Sequence, residues 1–189
     1  PPFFTSIADR SFEACTSLTS INITSSVTAI GEYAFSGCTS LTDVTIPNSV
    51  TNLGPGAFFG CTNLAGVTIS DSVTSVGKDT FLGCASLTSV TIPDSATSLG
   101  ARAFALCTSL STINLGGGVT NLGWLAFSGC TNLTDVTIPD SVTSIENETF
   151  WGCTGLTNLR IPGSVTTLGF AFPLCANLGA VCFRGNAPA

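Results

Sequence analysis

Apolar residues recur along this chain as a three-beat figure, L-x-x-V-x-I, followed by a short polar break, then V-x-x-L-G, then A-F before a cysteine. Leu41, Val44 and Ile46 open one unit. The figure returns at Leu64/Val67/Ile69, Leu87/Val90/Ile92, Leu110/Ile113/Leu115, Leu133/Val136/Ile138, Leu156/Leu159/Ile161 and Leu178/Val181/Phe183. The last two members of each triplet alternate in, out, in, which is the period of a short strand. Pro47, Pro93, Pro139 and Pro162 follow; lacking an N–H to give to a ladder, they end it. Asn48-Ser49 and Asp94-Ser95 then supply turn chemistry. Val50-x-x-Leu53-Gly54 comes next, with counterparts at Val73/Val76/Gly77 and Val119/Leu122/Gly123. Ala57-Phe58 before Cys61 has the spacing of a single helical or 3₁₀ turn. Phe12, Phe35, Phe58, Phe81, Phe104, Phe127, Phe150 and Phe172 hold one position of this unit and predict a stacked aromatic spine.

The unit has a fixed length. Cys15, Cys38, Cys61, Cys84, Cys107, Cys130 and Cys153 fall every 23 residues, and Cys175 follows after 22, so one residue is lost near Phe170. Such a period marks a stacked-repeat architecture, in which each unit contacts only its neighbours. One coil buries too few apolar side chains to offset the entropy of ordering it, so the coils must stack to fold. The expected fold is an α/β solenoid of about eight coils and roughly 40 Å length, from the strand spacing of about 4.8 Å. It forms a single domain over 1–189, with an incomplete first coil over 1–14 and a terminal strand and exit over 180–189.

Composition then narrows the function. Charged residues are only 8% of the chain, and 11 acids against 5 bases leave a net charge of −6 with no basic cluster. Phosphate neutralisation needs several Lys or Arg on one face, so neither nucleic acid nor an anionic membrane surface is an expected partner. No apolar run approaches the roughly 18 residues that cross a bilayer, so direct membrane insertion is not expected. The opening Pro1-Pro2-Phe3-Phe4 has neither Met nor a leader pattern and reads as a processed or trimmed product.

The chain has no His, which removes the usual base of a nucleophilic triad and the usual partner of Cys at zinc. The periodic cysteines read as small buried hydrophobes, because parallel inward thiols do not converge for disulfides. Cys182 takes an outward strand position held elsewhere by Thr45, Thr68, Thr91 and Thr137, and no basic group accompanies it in sequence. Asp71, Asp94 and Asp140 share the turn after the strand, where a carboxylate caps backbone N–H groups. Glu146 and Glu148 read as a solvated pair, and Gly116-Gly117-Gly118 as turn variation. No catalytic, cofactor-binding or metal-ligating residues are expected, and no enzymatic activity.

Function is sought where outward positions depart from the repeat. On the strand face these are small and polar: Asn22, Thr45, Thr68, Thr91, Asn114 and Thr137. Arg160, with Asp135 and Asn158 nearby, gives that face its one distinct charge. In the turn before each cysteine, slots normally wet hold Leu82, Leu106, Trp124, Leu125, Trp151, Phe170 and Leu174. Trp124 and Trp151, one coil plus four residues apart, are candidate neighbours in an apolar interface patch; the bland alternative is that both indoles fold back over their coils. Sequons at Asn22, Asn132 and Asn147 match by chance in a Thr-rich chain as readily as by design.

The coil CTSLTSVTIPDSVTSIGxxAFxG is approximated at 38–60, 61–83, 84–106 and 130–152. It resembles the BspA-type leucine-rich repeat, the cysteine-bearing class named after a bacterial surface antigen. The ending Val181-Cys182-Phe183-Arg184-Gly185-Asn186-Ala187-Pro188 also resembles the way such arrays exit. The resemblance covers essentially the whole chain. It implies a curved leucine-rich-repeat solenoid with short parallel strands on the concave face and helical or 3₁₀ turns on the convex face. It also implies a secreted or surface-displayed adhesion module that binds a protein ligand and carries no cofactor. A rival expectation is a structural or scaffold subunit clamped into a larger protein assembly, with an organelle lumen or organellar membrane complex as its setting. A third is ice binding by the rows of Thr, including Thr28, Thr51, Thr74, Thr97, Thr120, Thr143 and Thr166.

Overall fold

The computed structural model describes residues 4–185; Pro1-Pro2-Phe3 and the segment 186–189 of the expected exit lie outside the described residues. The triplets form a ladder of parallel strands: Asp43–Thr45, Gly66–Thr68, Ser89–Thr91, Thr112–Asn114, Asp135–Thr137, Asn158–Ile161 and Ala180–Phe183. Their register advances one coil per strand, as Val136 opposite Ile113 and Leu159 opposite Val181 show. In the typical strand the middle residue is buried and its neighbours are exposed, the expected alternation.

The V-x-x-L-G stretch builds a second parallel ladder that the sequence pattern did not announce. It comprises Ser6–Ile7, Ala29–Ile30, Asn52–Leu53, Ser98–Leu99, Asn121–Leu122, Ser144–Ile145 and Thr167–Leu168, with Val76 bridging to Leu99. Both ladders are interrupted around residues 61–83. The first breaks between Gly66–Thr68 and Ser89–Thr91, and the second between Asn52–Leu53 and Val76.

Among the described residues there is no helix and no 3₁₀ segment, so the turns before each cysteine differ from the expected helical ones. Two residues of each turn, four apart, take left-handed backbone: Gly56 (φ 62°) and Gly60 (φ 67°), or Arg102 (φ 55°) and Leu106 (φ 59°). A right-handed helical path has no room for such residues. Each closes a tight turn instead: Ala57 N–H donates to Gly54 O at 3.1 Å, and Cys61 N–H to Phe58 O at 3.3 Å. The alternate amides are thereby freed to point along the axis. Gly56, Phe58 and Gly60 N–H donate to Lys78, Thr80 and Leu82 O of the next coil at 2.9, 2.9 and 2.7 Å. A helix keeps its hydrogen bonds to itself; this turn spends half of them on its neighbour. The residue missing near Phe170 is the first left-handed one, since Phe170 accepts from Glu148 and Ala171 from Phe150.

Between these three rows lies one continuous core. Phe35, Phe58, Phe81, Phe104, Phe127 and Phe150 are fully buried, and the eight phenylalanines from Phe12 to Phe172 stack with ring centroids 5.2 to 5.9 Å apart. Cys38, Cys61, Cys84, Cys107, Cys130 and Cys153 are buried free thiols, each donating to the carbonyl of the phenylalanine one coil back at 3.1–3.2 Å. Cysteine therefore serves as more than a small hydrophobe: its thiol adds a second, inter-coil donor to a carbonyl that already accepts one turn N–H, as Phe58 O does from Cys61 N–H. Burial pushes Cys61, Cys107 and Cys153 up to about 12, against a weaker lowering by a backbone hydrogen bond from the preceding coil's cysteine. Cys15 is exposed, contrary to expectation; the described residues before it do not make a full coil that would cover it.

Candidate functional site

Two surfaces carry the departures from the repeat. On the strand face, Asn158, Leu159, Arg160 and Ile161 alternate exposed and buried, so Arg160 points outward beside Thr137 on one side and Cys182 on the other. The structure brings Asp135, Asn158 and Arg160 to one depression of about 260 Å³, together with Thr137, Asp140 and Arg184. Arg184 was not singled out from sequence. It holds the place of Pro162 one coil on, since Ile161 lies opposite Phe183, and its N–H donates to Ile161 O at 2.8 Å. The exposed thiol of Cys182 therefore stands beside Arg160 and two residues from Arg184, so basic groups do accompany it in space.

On the turn face, the sequence-selected residues fall into separate columns. Trp124 and Phe170 occupy one column with Asn147 between them, and Asn147 Oδ1 accepts from Phe170 N–H at 2.8 Å. Leu82 and Trp151 occupy another, the column of Phe59, and Leu106 and Leu174 the left-handed column beside it. Leu125 is only 9% exposed and leaves the surface, because its left-handed backbone turns the side chain onto the coil; Leu82 is half-buried. Trp124 and Trp151, 43% and 41% exposed, form no ring pair with each other.

Trp124 is instead pinned by the two glutamates read as a solvated pair. Its N–H donates to Glu146 Oε2 at 2.9 Å and its indole Nε1–H to Glu148 Oε2 at 3.2 Å, while Asn121 Nδ2 donates to Glu146 Oε1 at 2.9 Å. Leu106 and Leu174 are 54% and 69% exposed and sit where Gly37, Gly60, Gly83, Gly129 and Gly152 stand in other coils. A left-handed non-glycine residue is strained by roughly 1–2 kcal/mol. These leucines bear that strain without burying themselves. A short row that sequence reading missed continues toward the other end: Arg10 lies 4.9 Å over the Tyr33 ring, which meets Phe59 edge-on at 6.1 Å.

Asp79 and Arg102 occupy successive left-handed positions and staple two coils. Arg102 Nη2 donates to Asp79 Oδ2 at 2.9 Å; the Nε–Oδ1 leg is close at 2.8 Å but bent out of hydrogen-bond line. The Thr column donates too. Thr28, Thr120 and Thr166 hydroxyls reach the preceding coil's Thr carbonyls at 3.0–3.3 Å, so these hydroxyls serve the stack itself. No group of His, Cys, Asp and Glu suited to a metal occurs among the described residues, and no described helix is long and apolar enough to cross a membrane.

The sequence model of the BspA type leucine rich repeat region matches residues 2–108 and 74–187. Solved structures are similar to the chain along most of its length. A leucine rich cell surface protein from Faecalibacterium prausnitzii is 32% identical with a TM-score of 0.67, over 98% of this chain and 59% of its own. A leucine-rich repeat protein from Eubacterium ventriosum is 31% identical with a TM-score of 0.73, over 77% of this chain and 40% of its own. The T. pallidum leucine rich repeat protein is 31% identical with a TM-score of 0.69, over 80% of this chain and 72% of its own. This chain thus spans less than two thirds of the length of the first two. No curated protein matches it.

Proposed function

This chain belongs to the BspA-type leucine-rich repeat family, and on that footing we propose that it is a non-enzymatic protein-binding module of adhesion type, displayed on or secreted from the cell. The observation that carries this reading is the pair Leu106 and Leu174, exposed leucines held in a backbone conformation that five other coils assign to glycine and the first to Ala14. Strain that stabilises nothing inside the fold is retained for something outside it. Trp151 stands in the adjoining column, and Trp124 and Phe170 add exposed aromatic surface across the turn. Exposed aromatic side chains of this kind are enriched among the anchors of protein interfaces. The strand face around Asp135, Asn158 and Arg160 is the second binding surface. The similar F. prausnitzii chain is a leucine rich cell surface protein, which supports the same setting.

The test compares the wild-type chain with the triple variant Leu106→Gly/Trp151→Ser/Leu174→Gly. Glycine restores the residue other coils use, so the variant folds. By sedimentation velocity the wild type is monomeric, and when immobilised it retains extracellular protein that the triple variant does not. Self-association cured by the variant favours instead a scaffold subunit whose turn face is permanently covered. Monomeric behaviour with equal retention by both chains removes the turn face as the binding surface.

A further inference from the structure

We infer that the strand-face depression is a carboxylate site: Arg160 and Arg184 together receive an acidic side chain displayed by a protein partner. The inference deepens the strand-face part of the proposed function and rests on it.

The chain has only 5 basic residues. Arg10 pairs with Glu13 at 2.9 Å, while Lys78 and Arg102 lie 4.0 and 2.8 Å from the carboxylate of Asp79. The two remaining, Arg160 and Arg184, form no ion pair among the described residues, and both line the same 260 Å³ depression. Each departs from the repeat. Arg160 replaces the Thr of residues 45, 68, 91 and 137; Arg184 replaces the Pro of residues 47, 93, 139 and 162. The two departures converge on one depression, with Arg160 opposite Cys182 and Arg184 two residues beyond Cys182. The planar guanidinium, free of any ion pair among the described residues, is suited to gripping a carboxylate through paired N–H donors.

The same walls select which anion. Asp135 and Asp140 line the depression as well, and they repel ligands of higher negative charge such as inorganic sulfate and phosphate monoesters. A single carboxylate meets that repulsion least. A depression of 260 Å³ has room for one or two side chains rather than a bulky ligand.

The test follows the arginine Nε–Hε resonances of ¹⁵N-labelled protein, one for each of Arg10, Arg102, Arg160 and Arg184. The probes are N-acetyl-glutamate N-methylamide, its glutamine analogue, and inorganic sulfate. On the carboxylate reading, the glutamate probe shifts Arg160 and Arg184 together along one saturating curve and leaves Arg10 and Arg102 in place, while the glutamine probe shifts none. Arg160→Thr and Arg184→Ser install residues that other coils already carry there, so both fold; each weakens binding about tenfold or more. Equal shifts at all four arginines, a sulfate response as strong as the glutamate one, or no response to glutamate overturns the proposal. None of these variants touches Leu106, Trp151 or Leu174, so failure here leaves the turn-face reading standing.

Discussion

Raising the pH from 8 to 10 should destabilise this fold steeply, through thiols that never see solvent. Cys61, Cys107 and Cys153 are held at about 12 in the fold, chiefly by burial, against an ordinary value of 9.0. Cys84 and Cys130 are pushed well above 9.0 for the same reason. The unfolded chain releases these protons as pH passes 9, whereas the folded chain keeps them until pH passes the raised values. The stability they contribute is therefore complete below about pH 9 and drains away above it. At pH 10 each of the three thiols held at about 12 withdraws about 1–2 kcal/mol, so together they make on the order of 4 kcal/mol, and Cys84 and Cys130 act in the same direction. Whole domains are stable by about 5–15 kcal/mol, so the effect is large. Urea unfolding followed by circular dichroism at pH 8, 9 and 10 would register it as a falling midpoint. Cys107→Ala should lower stability at pH 8, since the Phe81 carbonyl keeps Cys84 N–H but loses its inter-coil donor, yet flatten the decline toward pH 10. A midpoint unchanged between pH 8 and 10, or a slope indifferent to Cys107, would refute the reasoning.

Two further predictions concern the staples between coils. Arg102→Ala leaves the buried Asp79 carboxylate without its hydrogen-bond donor, with only Lys78 Nζ 4.0 Å away, and should cost about 1–3 kcal/mol, whereas Asp79→Ala leaves behind only a 35% exposed guanidinium and should cost less; denaturation midpoints in the opposite order count against this account. Gly118→Ala would drive its Cβ onto the carbonyl oxygen of Asp94 and should lower the melting temperature by several degrees, while Gly117→Ala, whose Cβ meets only Asp94 Oδ1 at 3.6 Å, should change stability by about 0.5 kcal/mol or less.

Much of the fold was legible because burial repeats. The cysteine interval, the phenylalanine spine and the Leu/Val/Ile triplets are inward positions, and inward positions leave a periodic trace in sequence. The second ladder left almost none, since strands such as Asn52–Leu53 are too short to alternate visibly. The turn was misread as helical because its first left-handed position holds Arg10, Tyr33, Asp79, Arg102, Leu125 and Glu148, and these residues do not announce a positive φ. Hydrogen bonds spanning a whole coil, such as Trp124 to Glu146 and Glu148, have no local signature either. For the candidate surfaces, sequence isolated Arg160 as a departure but not Arg184, because only the strand register shows that they meet. Exposed Phe59 passed unnoticed among so many buried phenylalanines.

The thiol-to-carbonyl contacts all run one way: Cys38 reaches back to Phe12, Cys61 to Phe35, and so on to Cys175 and Phe150. The Thr hydroxyls reach back as well, while the turn amides reach forward. During synthesis, each coil leaving the ribosome therefore finds acceptors already waiting in the one before it, and exposes at its own tip the donors that the next will satisfy. The solenoid is built to be laid down vectorially, like courses of brick, with its growing end always chemically distinct from the end first made.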